Sequence, residues 1–364
     1  MSFIERLRGQ GKLHREGEFS LDLEQAGSKL SRFQFQDDQD FLYHLVGGLF
    51  RLGAQDLEVE WKANRLCIGM QKLPLEPDFL PDLPAALLEE NSPQRRLAAA
   101  AQSLLVHKLI RFDWLGSETE QVFDYLSGKG QNWQQIKLRE IQLEGLPSGL
   151  VDRALAELSK RAVYCRKPLL INGRALLPAR PSTLLAGLPA ICQCRPGQTS
   201  QLELVVDEMV CPPKPIQSPF PWHGVCYGSF RLDVSLSKVV EDELYAEAIA
   251  AIESTYPACI ENTTDREVLG KLLTVPAEAW LEPLLPKLKQ MPLFTDQRGR
   301  KWSLQSLTPP LYYASHRAPV DLPETILIES STLMLECLQA HFGEQFRQAG
   351  EVVLRQLRRQ LNRH

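Results

Sequence analysis

The sequence predicts an α+β fold: a mixed sheet with helices on one face, then a smaller βα domain and a helical C-terminal region. Three observations predict it. Apolar residues recur at helical spacing over 41–52. Alternating apolar and charged residues follow at 57–61, and strand-like segments recur at 109–114, 121–126, 135–143 and 167–172. Amphipathic patterns at 94–107 and 151–161 predict helices between these strands, which is typical of a two-layer fold.

Length and composition limit the class of protein. The chain has 364 residues, enough for two or three domains. Its 44% hydrophobic and 24% charged residues indicate a globular protein rather than a disordered one. The formal net charge of −4 argues against a general affinity for nucleic acid. The first residues lack the apolar core of a signal peptide, and no run approaches the length of a membrane span, so we expect a cytoplasmic protein.

The chain divides into three predicted parts. Residues 1–180 form an α/β sandwich, 181–265 a proline-rich βα domain, and 266–364 a strand-turn-strand unit with helices over 266–273 and 331–362. Inside the first part, the proline-rich stretch from Pro74 to Pro84 is predicted to be neither regular helix nor central strand, because proline lacks a backbone N–H.

The cysteines allow two interpretations. Cys192, Cys194, Cys211 and Cys226, with His223 nearby in sequence, supply enough ligands for a zinc ion. Structural zinc sites usually contain two close cysteine pairs, whereas this chain has one pair, spaced CxC. Buried free thiols are the second interpretation, since small buried cysteines are ordinary in apolar surroundings. Both interpretations stay open at the level of sequence.

The order of elements at 41–68 resembles a known family. A helix that turns at Gly53-Ala54 into a hairpin is similar to the nucleotide-site helix and hairpin of the GHKL superfamily, which includes gyrase, heat-shock-90 chaperones, histidine kinases and MutL. The segment YCRKPLLING at 164–173 resembles the closing strand of heat-shock-90-type nucleotide domains. The resemblance covers about 40–175. It implies a Bergerat-type α/β sandwich, with a transducer-like domain at 181–265.

The family's nucleotide site implies particular residues on the helix. A glutamate acts as general base, and an asparagine one turn later holds the magnesium ion. In this sequence the glutamate's place falls on His44, the asparagine's place on Gly48, and a neighbouring acidic place on Arg51. Glycine cannot hold magnesium. Histidine can accept a proton, so His44 either replaces the base or is simply packed in a degenerate site.

The strand and the lid depart from the family as well. An aspartate should follow the return strand to bind adenine, with glycines beside it, but the strand ends Cys67-Ile-Gly-Met-Gln-Lys72, with Gly69 alone. The region equivalent to the glycine-rich lid, 89–96, contains no glycine. The sequence therefore predicts no catalytic residue and a lost ATPase, with His44, Gly48, Arg51 and Gly69 as degenerate nucleotide-site positions.

Two functions follow as hypotheses. One is a non-catalytic, heat-shock-90-like scaffold or adaptor (a pseudo-ATPase) that binds protein partners and needs no cofactor. It predicts an old pocket filled by side chains such as Phe50, Met70 and Leu73. The other is an ATP-binding or ATP-hydrolysing enzyme with a remodelled site, which would use ATP and magnesium. The C-terminal segment, with an apolar face around 333–342 and arginines from Arg355 onward, is the candidate surface for partners or self-association.

Overall fold

The structure, a computed structural model, describes most of the chain from residue 37 onward. The described ranges are 37–75, 79–83, 85–89, 92–104, 107, 109–116, 122–127, 136–181, 183–185, 187–194, 199–216, 218, 221–233, 236–276, 281–316, 325–350 and 355. The chain forms two compact units. The first comprises Met1–Lys160, Lys167–Leu176 and Val234–Leu236, and the second Arg161–Arg166, Leu177–Asp233 and Ser237–His364. The division of the sequence at 180 and 265 stays a prediction.

The first unit contains the elements predicted around the 57–68 hairpin, together with one short helix in the proline-rich stretch, at Phe79–Asp82. They are α1 (Phe41–Arg51), β1 (Leu57–Lys62), β2 (Arg65–Leu75), α2 (Phe79–Asp82), α3 (Arg95–Leu104), β3 (Arg111–Gly116), β4 (Val122–Asp124), β5 (Ile136–Glu144), α4 (Ser148–Arg161), β6 (Leu169–Ile171) and β7 (Arg174–Ala175). Short 3-10 turns lie at Asp38–Asp40 and Ala85–Leu88. Each predicted strand and helix is present within a few residues of its expected bounds.

The strands form one mixed sheet. In the described residues it has seven strands in the order β4-β3-β5-β2-β1-β6-β7. Neighbouring strands are antiparallel except β1 and β6, which are parallel. The hairpin between β1 and β2 turns at Ala63 and Asn64, both with positive φ, and the one between β6 and β7 turns at Asn172 and Gly173. The predicted mixed sheet is confirmed.

The helices cover one face of this sheet. The covered face is apolar and buried, with side chains from four neighbouring strands: Leu57, Val59, Leu66, Ile68, Phe112, Trp114, Ile141 and Leu143. The alternate positions face the other way and are polar, among them Glu58, Glu60, Arg65, Gln142 and Glu144. On the helices, α1, α3 and α4 each bury an apolar face. The prediction of an α+β sandwich with helices on one face is confirmed.

Pro74 lies in a strand, but at a position that is paired on one side only. Strand β2 continues through Pro74 to Leu75, with a register shift between Gly69 and Leu73. The partner strand β1 begins at Leu57, opposite Met70, so in the described residues the end of β2 is paired with β5 alone. Proline is tolerated there because one side of the strand needs no donor. The next residues differ from the prediction, since α2 is a single helical turn.

The second unit begins with another sheet. Its elements are β8 (Thr183–Leu185), β9 (Leu188–Cys194), β10 (Gln201–Val206), β11 (Met209–Val210), β12 (Lys214–Pro215), β13 (Trp222–Tyr227), α5 (Glu243–Glu253), α6 (Tyr256–Asn262), α7 (Arg266–Leu272), α8 (Leu285–Gln290), β14 (Phe294–Thr295), β15 (Lys301–Trp302), β16 (Leu311–Ala314), β17 (Ile326–Ile328), α9 (Thr332–Phe342) and β18 (Phe346–Gln348). Three 3-10 turns lie at Glu282–Leu284, Leu304–Ser306 and Gly343–Gln345. In the described ranges, the strand order of this sheet of the second unit is β11-β10-β13-β9-β8, with β12 beside β10.

The C-terminal part of this unit differs from the predicted long helix over 331–362. Helix α9 ends at Phe342, and Gly343 follows with a φ of 54°, a conformation that favours glycine. The chain then enters β18, which joins β16 and β17 in a parallel three-stranded sheet. Helix α9 buries Met334, Cys337 and Leu338 in the core of its own unit. The apolar face expected to receive a partner is therefore largely used for folding.

Within the described ranges, the helices are all too short or too polar to cross a bilayer.

Candidate functional site

Helix α1 carries the residues that the sequence assigns to a nucleotide site. Every residue from Phe41 to Phe50 is buried. A helix that lines an open cleft keeps one accessible side, whereas α1 is covered on all sides. Helix α3 supplies part of this cover, because it packs along α1 and buries most of its own residues.

The contact between α1 and α3 is closest at two glycines. A Cβ atom on Gly48 would lie 2.9 Å from both the backbone nitrogen and the Cβ of Leu97. On Gly47 it would lie 2.7 Å from the guanidinium carbon of Arg96. Cβ atoms essentially never come this close to other heavy atoms. At Gly48 the atoms in the way are the backbone and Cβ of Leu97, so glycine is required there, whereas at Gly47 only the end of the Arg96 side chain would have to move. Gly48 thus allows helix-to-helix packing that a larger residue would prevent.

His44 lies one turn before Gly48 and is fully buried. Its Nδ1 accepts a hydrogen bond from Nε of Arg96 at 3.2 Å. The Tyr43 ring lies 4.1 Å from the His44 ring, and the Arg96 guanidinium carbon is 5.7 Å from the centre of the Tyr43 ring. The histidine is therefore part of a buried cluster of Tyr43, His44 and Arg96.

This hydrogen bond decides the tautomer of His44. Arginine has five N–H donors and no acceptor, so Nδ1 must supply the lone pair. A neutral imidazole that accepts at Nδ1 carries its proton on Nε2. The ring then has no second lone pair for a proton from water, and protonating Nδ1 would put two cations 3.2 Å apart in a buried place. The geometry does not suit His44 to a general base.

Arg51, in the last turn of α1, lies outside the buried cluster of Tyr43, His44 and Arg96. Arg51 is exposed in the last turn of the helix, where a cation interacts favourably with the helix dipole. Beside it, the ammonium group of Lys167 donates hydrogen bonds to the carbonyl oxygens of Phe50, at 3.3 Å, and Ala54, at 2.7 Å. Lys167 therefore caps the helix and fixes its end against the start of β6.

Gly69 is not brought to this cluster. It pairs with Glu58 and Glu140, and these positions lie on the polar face of the sheet, away from the helices. A Cβ on Gly69 would meet its nearest atom, the Glu58 carbonyl oxygen, only at 3.9 Å, so this position does not need glycine for close approach. Burial and the neighbouring Glu140 carboxylate raise the pKa of the Cys67 thiol on the same face to about 11. The four predicted positions therefore lie in three separate places: His44 and Gly48 at the contact between α1 and α3, Arg51 at the exposed end of α1, and Gly69 on the polar face of the sheet.

The pair Arg95 and Arg96 was missed by the sequence reasoning, which treated 89–96 only as a lid without glycine. Both arginines are buried, at 7% and 4% exposure, in the first turn of α3. Cations are unfavourable at the positive end of a helix. Two consecutive arginines at a helix start are therefore a signal that their side chains serve a purpose elsewhere, and that signal was available in the sequence.

The residues present do not fit a magnesium–ATP group at the family's position. The asparagine place is occupied by Gly48, which has no ligand atom, and the space beside it holds Leu97. The histidine place uses its lone pair for Arg96. Within β2, no aspartate is present between Ile68 and Leu75.

The cysteines and His223 are separated by the second unit's sheet. Cys192, Cys211 and Cys226 lie in the apolar core on one face, while His223, one position from Trp222 on β13, lies on the other. Its Nε2 is 2.8 Å from Glu203 Oε2. Burial raises the pKa values of Cys192 and Cys226 to about 11. In the residues that the structure describes, no group of three or more His, Cys, Asp or Glu side chains is placed to hold a metal ion; the Cys194 side chain lies outside the described part.

Comparison with known proteins gives fold neighbours alone. No family model and no curated protein matches the chain. Among solved structures it is similar to the N-terminal domain of a DNA repair protein, with 8% identity over 65% of this chain and 98% of that chain and a TM-score of 0.38. It is also similar to the B subunit of DNA gyrase from Myxococcus xanthus, with 11% identity over 68% of this chain and 92% of that chain and a TM-score of 0.39.

A third neighbour is the ATPase domain of the mismatch repair endonuclease MutL from Aquifex aeolicus. It shares 9% identity over 57% of this chain and 95% of that chain, with a TM-score of 0.29. These neighbours are GHKL ATPase domains, the superfamily that the sequence resembles. TM-scores below 0.5 describe partial overlap, and the fold of this chain rests on the strand order given above.

Proposed function

We propose that this chain is a non-catalytic, heat-shock-90-like scaffold or adaptor, a pseudo-ATPase that binds protein partners in a cytoplasmic assembly. The observation that supports the loss of catalysis most directly is the contact between Gly48 and Leu97. Magnesium is held by oxygen ligands, and none is offered at position 48. Restoring an asparagine there would require α3 to move, so the loss extends beyond one residue to the packing of two helices.

The tautomer of His44 supports the same proposal. Hydrolysis of a phosphoanhydride needs a residue that orients or deprotonates the attacking water. The Nδ1 lone pair of His44 is held by Arg96, and the ring is fully buried. A histidine in this state stabilises the contact between α1 and α3 and has no access to a water nucleophile.

The side chains expected to fill an abandoned pocket are also consistent with the proposal. Phe50 and Leu73 are buried, at 3% and 2% exposure, and Met70 is half-buried. Leu73 Cδ1 lies 4.0 Å from where a Cβ on Gly53 would be, so it packs near the end of α1. Apolar burial of this kind stabilises the fold by about 1.5–3 kcal/mol for each large side chain.

One observation favours the second candidate function, a nucleotide-binding protein with a remodelled site. Arg95 and Arg96 lie at the start of α3, next to α1. Guanidinium groups bind phosphate oxygens in a bidentate manner and do so without a metal. Such a site would hold a nucleotide through its phosphates and would be insensitive to magnesium.

Nucleotide binding and turnover test both candidates. A fluorescent ATP analogue is titrated into the full chain with and without magnesium, and phosphate release is measured on the same preparation. We expect no saturable binding below about millimolar concentration and no turnover above blank. Magnesium-independent binding that is lost in Arg96→Gln and kept in Arg139→Gln, an exposed arginine on β5, would establish the second candidate. Turnover that disappears in His44→Ala would overturn the proposal.

A further inference from the structure

The three-stranded sheet near the C-terminus has one face on the main core of the unit, and its other face carries a small buried cluster of Tyr312, Ile326 and Ala349. Leu311, Tyr313, Leu327 and Phe346 belong to the first face and pack with the core of the unit. Tyr312 lies on the second face, because successive side chains of a strand alternate. In the register it is opposite Ile326 on one neighbouring strand and Arg347 on the other. The second face therefore combines apolar residues with an arginine.

A groove lies at this second face. Its volume is about 650 Å³. Its lining contains two prolines, one tyrosine, two arginines, one glutamate and one glutamine: Pro309, Pro310, Tyr312, Arg347, Arg355, Glu344 and Gln345. A space of this size accommodates several side chains of a bound peptide or a drug-sized molecule.

The groove is apolar at its base and charged at its walls. Tyr312 is 5% exposed and packs with Ile326 and Ala349, which gives the base a fixed position. The walls are exposed, and Arg347 is held along one of them because its Nε donates a hydrogen bond to the Glu344 carbonyl oxygen at 3.0 Å. Aromatic residues and arginines are enriched where protein partners bind, and proline adds surface without losing side-chain entropy.

The charges of the walls favour one chemical class of partner. Among the lining residues that the structure describes, there are two guanidinium groups and one carboxylate, so this part of the groove is cationic within a chain whose net charge is −4. Arginine binds carboxylates in a bidentate manner. Nucleic acid and anionic membranes need a more extended cationic surface, and the glutamate in the lining opposes a dense row of phosphates.

We propose that this groove binds an acidic segment of a partner protein, with glutamate or aspartate side chains on Arg347 and Arg355 and an adjacent apolar side chain against the exposed Pro310. The assignment rests on the proposed scaffold function, for which it names the chemistry of a partner. The position of β18 also supports this proposal, because in the described part of the chain this strand lies at the edge of its sheet. An extended segment can lie along such an edge.

The test uses the full chain and a labelled peptide. The probe is a fluorescein-labelled twelve-residue peptide of alternating glutamate and leucine or tyrosine, and its binding is followed by fluorescence anisotropy. A second peptide with lysine for glutamate, a single-stranded oligonucleotide and vesicles with anionic lipid are measured alongside it. The variants are Arg355→Gln, Arg347→Gln and their combination. Arg300→Gln, which removes an exposed arginine of the β14–β15 hairpin, is the matched control. Thermal melting verifies that each variant is folded.

We expect the acidic probe to bind and each groove substitution to weaken it at least about threefold, the combination more, and Arg300→Gln to leave it unchanged. Rising salt should weaken it further. An acidic probe that does not bind, or binds equally to the double variant, would overturn the inference. Tighter binding of oligonucleotide or vesicles that depends on the same arginines would overturn it too. ATP turnover on the same samples reports separately on the proposed function, so the two can fail independently.

Discussion

The backbone nitrogen of Leu97 lies 2.9 Å from the position that a Cβ on Gly48 would occupy. Helices normally approach to 8–10 Å between axes because side chains separate them. At this point a glycine of α1 meets the backbone of α3, so the closest part of the contact depends on a missing side chain. A position of this kind tolerates very few substitutions, whatever their polarity.

Gly48→Ala should destabilise the first unit by about 1–3 kcal/mol, because α3 would have to shift to admit a methyl group. Helix propensity alone would stabilise the variant by roughly 1 kcal/mol. Chemical denaturation monitored by circular dichroism measures the difference. Gly149→Ala on α4 is the matched control, since its Cβ would meet its nearest atom at 3.9 Å, and it should be neutral or slightly stabilising. Equal effects in the two variants would contradict the packing argument.

His44 should be observed as the Nε2–H tautomer at neutral pH. The reason is that Arg96 donates to Nδ1. Long-range ¹H–¹⁵N correlation spectra distinguish the two tautomers by their nitrogen shifts, and His44→Gln assigns the signal. Arg96→Gln should change the nitrogen shifts of His44, whereas Arg139→Gln should leave them alone. A proton on Nδ1 would show that Arg96 does not donate to that nitrogen.

Lys167→Met should lower the free energy of unfolding of the first unit by about 1–2 kcal/mol. The substitution removes the bonds to the carbonyl oxygens of Phe50 and Ala54 while keeping most of the apolar stem. Lys62→Met, at the exposed end of β1, should have little effect, since its side chain is 71% exposed. If both variants melt alike, Lys167 does not stabilise the end of α1.

Asp296 should contribute stability that depends on pH. Burial works against its charge, but hydrogen bonds from the Trp302 indole and the N–H groups of Arg300 and Arg298 prevail and lower its pKa below the ordinary 3.8. Since the unfolded chain takes up the proton first, the stabilisation is present above pH 3.8 and is lost as the pH falls through the folded value.

Asp296→Asn should therefore destabilise the protein by about 1–2 kcal/mol at neutral pH and by less in acid. Denaturation midpoints measured from pH 7 downward give the difference curve, and Asp152→Asn, an exposed position on α4, is the control. A difference that stays constant across the pH range would contradict the assignment.

Periodicity was sufficient to predict the sheet. The alternation of Leu57 and Val59 with Glu58 determined which face is buried. The end of β2 was not predicted, because it depends on where the neighbouring strand β1 stops. The sequence of β2 alone carries no information about that point. Likewise, Gly343 ended a helix whose apolar pattern continues to Leu361.

The same reasoning from sequence predicted only part of the candidate site. Matching positions to a motif identified Gly48 as unable to hold a metal, which needs only the residue type. The space beside Gly48 is occupied by Leu97 of α3, which lies 49 positions further along the chain. No local pattern in the sequence links these two positions. The partner of His44 was hidden for the same reason, although consecutive arginines at a helix start were a usable clue.

Pro74 in β2 also hinders aggregation between copies of the protein. Where β1 stops, the last residues of β2 form a sheet border in the part of the chain that the structure describes, and a border of regular strand is a template on which a strand of another molecule can form. Pro74 has no hydrogen to donate there, and the irregular register just before it disturbs the flat geometry that such stacking requires. The residue that makes this strand hard to recognise in the sequence therefore also guards the first unit against edge-to-edge aggregation.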